Sequence, residues 1–179
     1  FAPSDRFEEK LTLKRSNAHE IVAEECRAIR EGVALLDITG FSRFEVTGEN
    51  SQAWLNQIFA TKLPAPGRAR LGVMLSFSGR LKGDLTLLNW GDGTYWIMGS
   101  YYLRAWHMRW FNEQIKDGVS IRDLGDEICG FALIGPKSHF VLKKVAEEDV
   151  SNLRFMDCKR LDVGLVRSNV AGMSVTGET

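Results

Sequence analysis

The chain has 179 residues, of which 44% are hydrophobic and 10% are aromatic, enough apolar material for one globular domain with a packed core. Its 23 basic and 23 acidic side chains give a formal net charge of zero, which excludes the positive charge typical of a general nucleic-acid or membrane-surface binder. No apolar run approaches the roughly 20 residues that a membrane-spanning helix needs, so we expect a soluble protein without membrane or nucleic-acid partners, whose ligand is a small molecule or another protein domain.

The first half of the chain predicts an arm, a helix and two short strands. Residues 1–16 are mixed and charged and are typical of a linker or wrapping arm, so we place the domain at residues 17–179. Apolar residues at helical spacing predict a helix over 18–31. Strands are predicted over 35–38 and 43–47, and a second amphipathic helix follows them.

The second half predicts a meander of strands with further helices. A strand is predicted over 68–77, and another strand leaves Asp84 and ends in a hairpin turn at Gly91-Asp92-Gly93. A helix follows over 101–116, with an aromatic stripe of Tyr102, Trp106, Trp110 and Phe111. After it the sequence predicts strands over 119–123 and 129–134, a helix through about 147, and a last hairpin formed by 161–167 and the stretch after Gly172. Helices and antiparallel strands mix without regular βαβ spacing. The sequence therefore favours an α+β domain, an antiparallel sheet with packed helices, over a doubly wound sheet.

The cysteines indicate a reducing compartment. Cys26, Cys129 and Cys158 are odd in number and contain no CxxC pair, so neither a disulfide framework nor a zinc site is predicted. We expect the bacterial cytoplasm or the mitochondrial matrix. Cys26 falls on the apolar side of the first helix, which favours a buried, inert thiol. The chain begins with Phe1 and stops in an apolar segment, so we expect a piece of a longer polypeptide.

Asp84 is the first candidate for chemistry, because a carboxylate is a poor strand former and is costly to bury without a partner. One interpretation is that it bonds to turn amides, or pairs with Arg80 or Lys82, and only shapes the loop. The other is that it borders a ligand site, where Thr86, two positions on, presents a hydroxyl on the same face of the strand. A carboxylate beside a hydroxyl can hold a ligand amine or amide. From the residues alone, both interpretations stay open.

No metal or nucleotide motif accompanies Asp84. His19, His107 and His139 are too far apart in sequence to suggest a metal cluster, and each is expected to be a surface or helix residue. The chain contains no Walker A, GxSxG or GxGxxG pattern. We therefore predict no metal site and no phosphate-binding loop.

Two early segments, EECRAIREGVALLD at 24–37 and TGFSRFEVTG at 39–48, resemble the opening of the aminomethyltransferase family, which includes the T-protein of glycine cleavage. They are most similar to the C-terminal folate-binding region of dimethylglycine and sarcosine dehydrogenases. Further similarities follow in order at Gly79 to Leu85, at Gly135-Pro136-Lys137 and at Val175-Thr176-Gly177-Glu178. Together they span nearly all of residues 20–179.

The resemblance implies that the chain is the N-terminal part of a folate-binding module of several layered subdomains, cut off where the family continues. It aligns Asp84 with the second acidic residue of the family's Gly-x-x-x-Asp-Asp-Leu turn, the carboxylate credited with the one-carbon step on tetrahydrofolate. Thr86 matches a position that touches the pterin. The other cofactor-binding positions implied by the resemblance are Leu71, Gly99, Ser100 and Val175.

The sequence departs from the family pattern at several of these positions. A Tyr on the pterin side is Leu71 here, an Asn that often contacts folate is Ser100, and the Tyr of the Tyr-Thr-Gly-Glu motif is Val175. The first Asp of the acidic pair is Gly83. Since a missing polar partner typically costs about 1–3 kcal/mol, a domain that has lost folate binding stays open as an alternative.

The resemblance implies an activity in two steps. FAD in a domain outside this chain, in cis or in trans, first oxidises a methylated amine to an iminium. Tetrahydrofolate then captures the N-methyl-derived iminium carbon, which gives its 5,10-methylene form. Asp84 would orient the pterin amine and manage its proton. We expect an enzyme of the aminomethyltransferase or N-methylamine dehydrogenase type, with this segment inactive by itself. The alternatives are a non-catalytic folate-binding domain and a structural domain that packs against an oxidoreductase partner.

Overall fold

A computed structural model describes residues 7–174 of the chain. This part contains four α-helices, one short 3-10 helix at Tyr101–Leu103 and nine β-strands. In chain order the other elements are α1 (His19–Glu31), β1 (Ala34–Asp37), β2 (Ser42–Thr47), α2 (Ser51–Ile58), β3 (Arg68–Leu75), β4 (Leu81–Asn89), β5 (Tyr95–Gly99), α3 (Arg104–Gln114), β6 (Ser120–Asp123), β7 (Phe131–Ile134), α4 (Ser138–Val145), β8 (Cys158–Val163) and β9 (Val166–Ala171). The mixture of helices and antiparallel strands confirms the predicted α+β class.

Five antiparallel strands form the central sheet, in the order β3-β4-β5-β2-β6. Alternation along the strands places Phe44, Leu85 and Leu87 on one face, where Trp54 of α2 and Phe111 of α3 cover them. Edge-to-face contacts join the Phe111 ring to Phe44 at 5.3 Å and to Trp54 at 6.0 Å between centroids. This face carries the main core of the molecule.

The opposite face of the sheet is covered over only part of its length. At one end, the β8–β9 hairpin and the residues before it pack on Ala69, Leu88 and Trp96, with Cys158 in the middle of the cluster. The Ala69 amide donates to the Met156 carbonyl at 2.7 Å, which fixes this cover to β3. Towards the other ends of β3 and β4 the face is exposed to solvent. The candidate site lies on this open part.

Outside the central sheet, β1 and β7 pair as an antiparallel ribbon in which Ala34 lies opposite Ile134. The loop between β7 and α4 meets the end of α1, where the Lys137 amide donates to the Gly32 carbonyl at 3.0 Å. Gly135 in this loop has φ 119°, and a Cβ there would lie 2.5 Å from the Gly32 oxygen. Glycine is therefore required at this contact.

Several elements end at other residues than predicted. The strand expected over 68–77 stops at Leu75, where the register with β4 shifts. The helix expected over 101–116 begins with a 3-10 turn and ends at Gln114. The last hairpin turns at Gly164, whose φ is 58°, so its second strand precedes Gly172 instead of following it.

The expectation that Cys26 is buried is wrong, since its thiol is exposed. Helix α1 buries none of its residues within the described part of the chain, so its apolar stripe has no core behind it there. Cys158 is the buried cysteine instead. Its Sγ donates to the Asn89 carbonyl at 3.4 Å, and burial raises the pKa of the thiol to about 11.

Candidate functional site

The open part of the sheet face carries three of the residues singled out from the sequence. Thr86 lies directly opposite Leu71 on β3 and Met98 on β5. Asp84 lies two residues earlier on β4, opposite Val73, and so shares a face with Thr86. Since opposed residues of an antiparallel ladder have Cα atoms about 4.5–5.5 Å apart, Leu71, Thr86 and Asp84 form one continuous surface.

The Asp84 side chain is exposed, and its carboxylate makes no hydrogen bond or salt bridge with any residue in 7–174. Arg80 and Lys82, the neighbours that could have neutralised it, do not pair with it. No turn amide donates to it either. Asp84 therefore does not act as a local turn former in this structure, and its oxygens are available to a ligand.

Leu71 adds an apolar side chain to this surface, and Thr86 adds a hydroxyl. Leu71 exposes 55% of its side chain, which is high for a large apolar residue within a sheet. Thr86 is half-buried beside it. An apolar patch bordered by a hydroxyl and a carboxylate can bind a flat heterocycle by its face and by its polar edge.

The remaining predicted site residues do not join this surface in the same way. Gly99 belongs to the core face, because a Cβ there would lie 2.2 Å from Cδ2 of Leu85. Ser100 is exposed after the end of β5, and its carbonyl accepts a hydrogen bond from Ser42 Oγ at 3.4 Å. Val175 lies outside the residues that the structure describes.

Behind Asp84, on the core side of β4, lies a histidine to which the sequence analysis gave no role. His107 is 1% exposed, and neither ring nitrogen makes a hydrogen bond to a described residue. The ring packs on Gly83, where a Cβ would lie 2.9 Å from Nε2. Burial lowers the pKa of His107. The nearby backbone of Lys82 has the opposite, raising effect on this pKa, but the effect of burial is larger. The imidazole is therefore neutral at pH 7.

The buried side of α3 differs from the predicted stripe. Tyr102 is 93% exposed and lies in the 3-10 turn before the helix. The residues of α3 that are buried are His107 and Phe111, which lie four positions apart and stack at 6.2 Å between ring centroids. The i,i+4 spacing of these two residues is the sequence signal that could have identified His107 as a core residue.

The two tryptophans of α3 both contact Lys82, and Trp110 also packs against the main core. Lys82 Nζ lies 5.0 Å from the Trp106 ring centre and 4.7 Å from that of Trp110, within the range of cation–π attraction. These three side chains line an open cavity of about 320 Å³ together with Arg109 and Glu113. Lys82 is thus held against α3.

A larger cavity of about 530 Å³ lies elsewhere, between α2 and the loop after α3, and its lining includes Asn50, Gln57 and Lys116. Neither of these two cavities includes Asp84, Thr86 or Leu71. Cavity size therefore does not identify the candidate site. We place the site at Asp84 because of its free carboxylate and its neighbours, on a surface that the described residues leave open.

Arg43 ends the row of residues that runs from Leu71 through Thr86 and Met98. It is 2% exposed and forms no salt bridge with a carboxylate among residues 7–174; its guanidinium donates to the carbonyls of Ile38, Thr39 and Phe41 at 2.8–3.1 Å. Burial lowers the pKa of Arg43. Its function in the structure is to hold the loop between β1 and β2.

Within residues 7–174, no group of three or more His, Cys, Asp or Glu side chains lies close enough together to hold a metal ion. In the same part of the chain, every helix is too short or too polar to cross a membrane.

Comparison with known proteins gives a consistent set of similarities. The family described as "GCVT N-terminal domain" matches residues 1–179. Human mitochondrial dimethylglycine dehydrogenase is 27% identical over 183 aligned residues, which cover 99% of this chain and 21% of that protein. The structure of glycine cleavage system aminomethyltransferase T from Bartonella henselae aligns with a TM-score of 0.71 and 19% identity, over 78% of this chain and 38% of that chain.

Heterotetrameric sarcosine oxidase from Corynebacterium sp. U-96 aligns with a TM-score of 0.63 and 17% identity, over 91% of this chain and 83% of the matched chain. Both solved structures share the fold of this chain. The chain spans about a fifth of the length of the human dehydrogenase.

Proposed function

This chain belongs to the GCVT N-terminal domain family, and on that premise we propose that it is the folate-binding part of a tetrahydrofolate-dependent one-carbon transfer enzyme of the dimethylglycine dehydrogenase or aminomethyltransferase type. The observation that carries the proposal is the exposed, unpaired carboxylate of Asp84, aligned with Thr86 on an open sheet face. The substrate class is a methylated amine, from which one carbon is passed to the folate.

The residues of the open face fit a reduced pterin. Such a ring system presents N–H and amino donors along one edge and a flat face to its surroundings. Asp84 and Thr86 supply oxygen acceptors for the edge, and the exposed Leu71 supplies an apolar surface for the face. Charge-assisted hydrogen bonds to a carboxylate are among the stronger ones, so Asp84 is the main polar contact in this arrangement.

Tetrahydrofolate, when bound, supplies the nitrogen nucleophile that takes up the one-carbon unit. Asp84 orients the ligand by accepting a hydrogen bond, and its carboxylate oxygens can hold a proton released during the transfer. Its negative charge also favours a cationic, amine-derived substrate nearby. Thr86 fixes the ring position from the adjacent site on the strand.

We place the folate module at residues 17–179, preceded by a linker or arm at 1–16. Residues at the end of this arm fold back on Asn17, whose Oδ1 accepts from the Lys10 amide at 2.7 Å and whose Nδ2 donates to the Glu8 carbonyl at 3.0 Å. These contacts support an arm that wraps on the start of the domain.

The oxidation of the amine is assigned to an FAD-containing domain outside this chain, in the same polypeptide or in a partner subunit. The similarity to a dehydrogenase of which this chain covers 21%, and to a heterotetrameric oxidase, supports both arrangements. The location we propose is the mitochondrial matrix or the bacterial cytoplasm; the relatives include a mitochondrial human enzyme and an enzyme of Bacillus licheniformis.

The test is a calorimetric titration of the full-length protein with 5-formyltetrahydrofolate, a stable reduced folate. Micromolar binding that Asp84→Ala weakens about tenfold, equivalent to about 1.4 kcal/mol, supports the proposal. The matched control is Asp117→Ala, which removes another exposed carboxylate, in the loop after α3, and is expected to bind as the wild type does.

The second candidate function is that of a structural domain that has lost folate binding. The departures from the family pattern that the resemblance implies at Leu71, Ser100 and Val175 favour it. Absence of saturable binding to a folded wild-type protein establishes this candidate. Folate binding that Asp84→Ala does not change, without amine turnover, indicates a non-catalytic folate-binding domain.

A further inference from the structure

We infer that His107 of α3 is a positioning residue for Asp84: it packs on Gly83 and so maintains a β-bulge at Lys82 that turns the Asp84 carboxylate onto the open face. The inference deepens the proposed function and rests on it, since Asp84 is there the main polar contact of the ligand. It gives a role to a buried imidazole whose two nitrogens make no hydrogen bond to a described residue.

The direction of the Asp84 side chain depends on its backbone. The carboxylate makes no hydrogen bond or salt bridge with any residue that the structure describes, so no polar contact fixes it. Its partner across the ladder is Val73, whose side chain has no polar group. The backbone of β4 just before Asp84 therefore decides on which face the carboxylate lies.

A β-bulge lies directly before Asp84. Gly83 and Leu81, two positions apart on β4, pair with consecutive residues of β3, so Lys82 between them is an extra residue. Strict alternation from Leu81, which is 65% exposed opposite Leu75, would put Asp84 on the core face. The extra residue shifts the alternation by one position, so that Gly83 is buried and Asp84 is exposed. Re-aiming a side chain in this way is a known use of bulges beside functional sites.

Helix α3 holds both residues of the bulge from the core side. Gly83 is buried against His107, and a Cβ on Gly83 would lie 2.9 Å from Nε2 of the imidazole. The Lys82 side chain lies on Trp106 and Trp110, with Nζ 5.0 and 4.7 Å from the two ring centres. The Lys82 backbone is also near the imidazole, where it opposes part of the lowering of the pKa by burial.

The imidazole has little room to move away from the bulge. His107 is 1% exposed, stacks on Phe111 at 6.2 Å between ring centroids and meets the Trp106 ring edge-on at 5.2 Å. Gly83 stands where the resemblance implies the first Asp of an acidic pair, and a side chain there would overlap the imidazole. Gly83 and His107 are therefore sterically complementary, and the histidine fixes the backbone that precedes Asp84.

The experiment titrates the full-length protein with 5-formyltetrahydrofolate, at a temperature where unfolding curves show that every variant is folded. His107→Ala leaves space beside Gly83, so the bulge can shift, and the variant is expected to bind about fivefold more weakly because the contact group is no longer preorganised. His107→Gln carries an amide at the same depth of the side chain as Nε2, and its affinity is expected to stay within about twofold of the wild type.

Val46→Ala is the matched control for a general loosening of the core. Val46 is fully buried in the same core as His107 and Gly83, but it lies on β2 opposite Tyr95, towards the Asn89 end of β4. This variant is expected to be less stable and to bind the folate as the wild type does.

Wild-type affinity in folded His107→Ala overturns the inference, as does an equal loss of affinity in His107→Gln or in Val46→Ala. If His107→Ala does not fold, Gly83→Ala tests the same contact from the strand, because its Cβ presses on the imidazole and displaces the bulge. Folded Gly83→Ala is expected to bind about fivefold more weakly, and an unchanged affinity overturns the inference.

The same titration distinguishes the two proposals. An affinity that Asp84→Ala does not change, or absence of binding to the folded wild type, defeats the proposed function and this inference with it. A large loss with Asp84→Ala, together with wild-type affinity in the His107 and Gly83 variants, defeats this inference alone.

Discussion

Leu71 on β3 and Thr86 on β4 are directly opposed across the antiparallel ladder, and the leucine exposes 55% of its side chain beside the hydroxyl. A planar ligand on this face would rest on Leu71. An aromatic ring in its place would add a stacking surface without disturbing the core, because the residue points away from it.

The first prediction follows from this pair. Leu71→Tyr is expected to tighten binding of 5-formyltetrahydrofolate by about two- to thirteenfold, since an aromatic contact adds roughly 0.5–1.5 kcal/mol. Isothermal titration of the full-length protein measures it. The matched control is Leu165→Tyr, at the fully exposed turn between β8 and β9. Equal affinities of the Leu71 variant and the wild type would show that the ligand does not rest on this residue.

The second prediction concerns the contact behind the site. Gly83→Ala is expected to destabilise the protein by about 1–3 kcal/mol, because the added Cβ would meet His107 and Met74 at less than 3 Å. Urea unfolding monitored by tryptophan fluorescence gives the free energy of unfolding. Gly40→Ala serves as the control, since a Cβ there meets nothing within 4 Å. A Gly83 variant as stable as the Gly40 variant would mean that both neighbours shift without cost.

The third prediction is a loss of stability in mild acid. Burial lowers the pKa of His107 in the folded protein, whereas in the unfolded chain it is about 6.5. Below pH 6.5 the unfolded state therefore binds more protons than the folded state. The free energy of unfolding then decreases as the pH is lowered, until the pH reaches the pKa of His107 in the folded protein. The slope from this group is at most about 1.4 kcal/mol per pH unit.

Urea unfolding between pH 7.5 and 5 measures this slope. The carboxyl groups whose pKa values are lowered, such as those of Asp92 and Asp157, titrate below this window. His107→Phe is expected to flatten the dependence, and His19→Gln, at an exposed position of α1, is expected to leave it as it is. An unchanged slope in the His107 variant contradicts the prediction.

The fourth prediction concerns the cysteines. Cys26 and Cys129 are exposed, whereas Cys158 is buried and burial raises the pKa of its thiol to about 11. Since the thiolate is the reactive form, two thiols of this domain are expected to react with Ellman's reagent at pH 8 in the native protein, and the third only after denaturation. Mapping the modified residues by mass spectrometry identifies them. Rapid native modification of Cys158 would show that the β8–β9 cover opens readily.

The part of the site that lies on one strand is predictable from the sequence. The period of two along β4 is enough to place Asp84 and Thr86 on a common face, and the structure has them there. Which residue of β3 lies opposite them depends on register, and the resemblance to a known family, not the local pattern, pointed to Leu71.

The contacts between elements distant in sequence are not predictable in this way. Cys26 has the pattern of a buried residue, but its helix finds no core within the described chain. In the sequence, Lys82 looks like a surface charge close to an acidic residue. Its contact with Trp106 and Trp110 depends on how α3 crosses the sheet, which the local sequence does not show. His107 escapes notice because polar residues are mostly exposed, a tendency that tertiary packing overrides here.

The pairing of β1 with β7 bears on the order in which the molecule assembles. Ala34 on β1 pairs with Ile134 on β7, which lies about 100 residues later in the chain. Closing a loop of that length is entropically unfavourable before other contacts shorten it. The meander of β3, β4 and β5 joins neighbours in the chain and can form first. During synthesis at about 5–20 residues per second, β1 waits roughly 5–20 s for its partner to be made. Until then the backbone N–H and C=O groups of β1 have no ladder partner, so the strand is open to misdirected pairing throughout that interval.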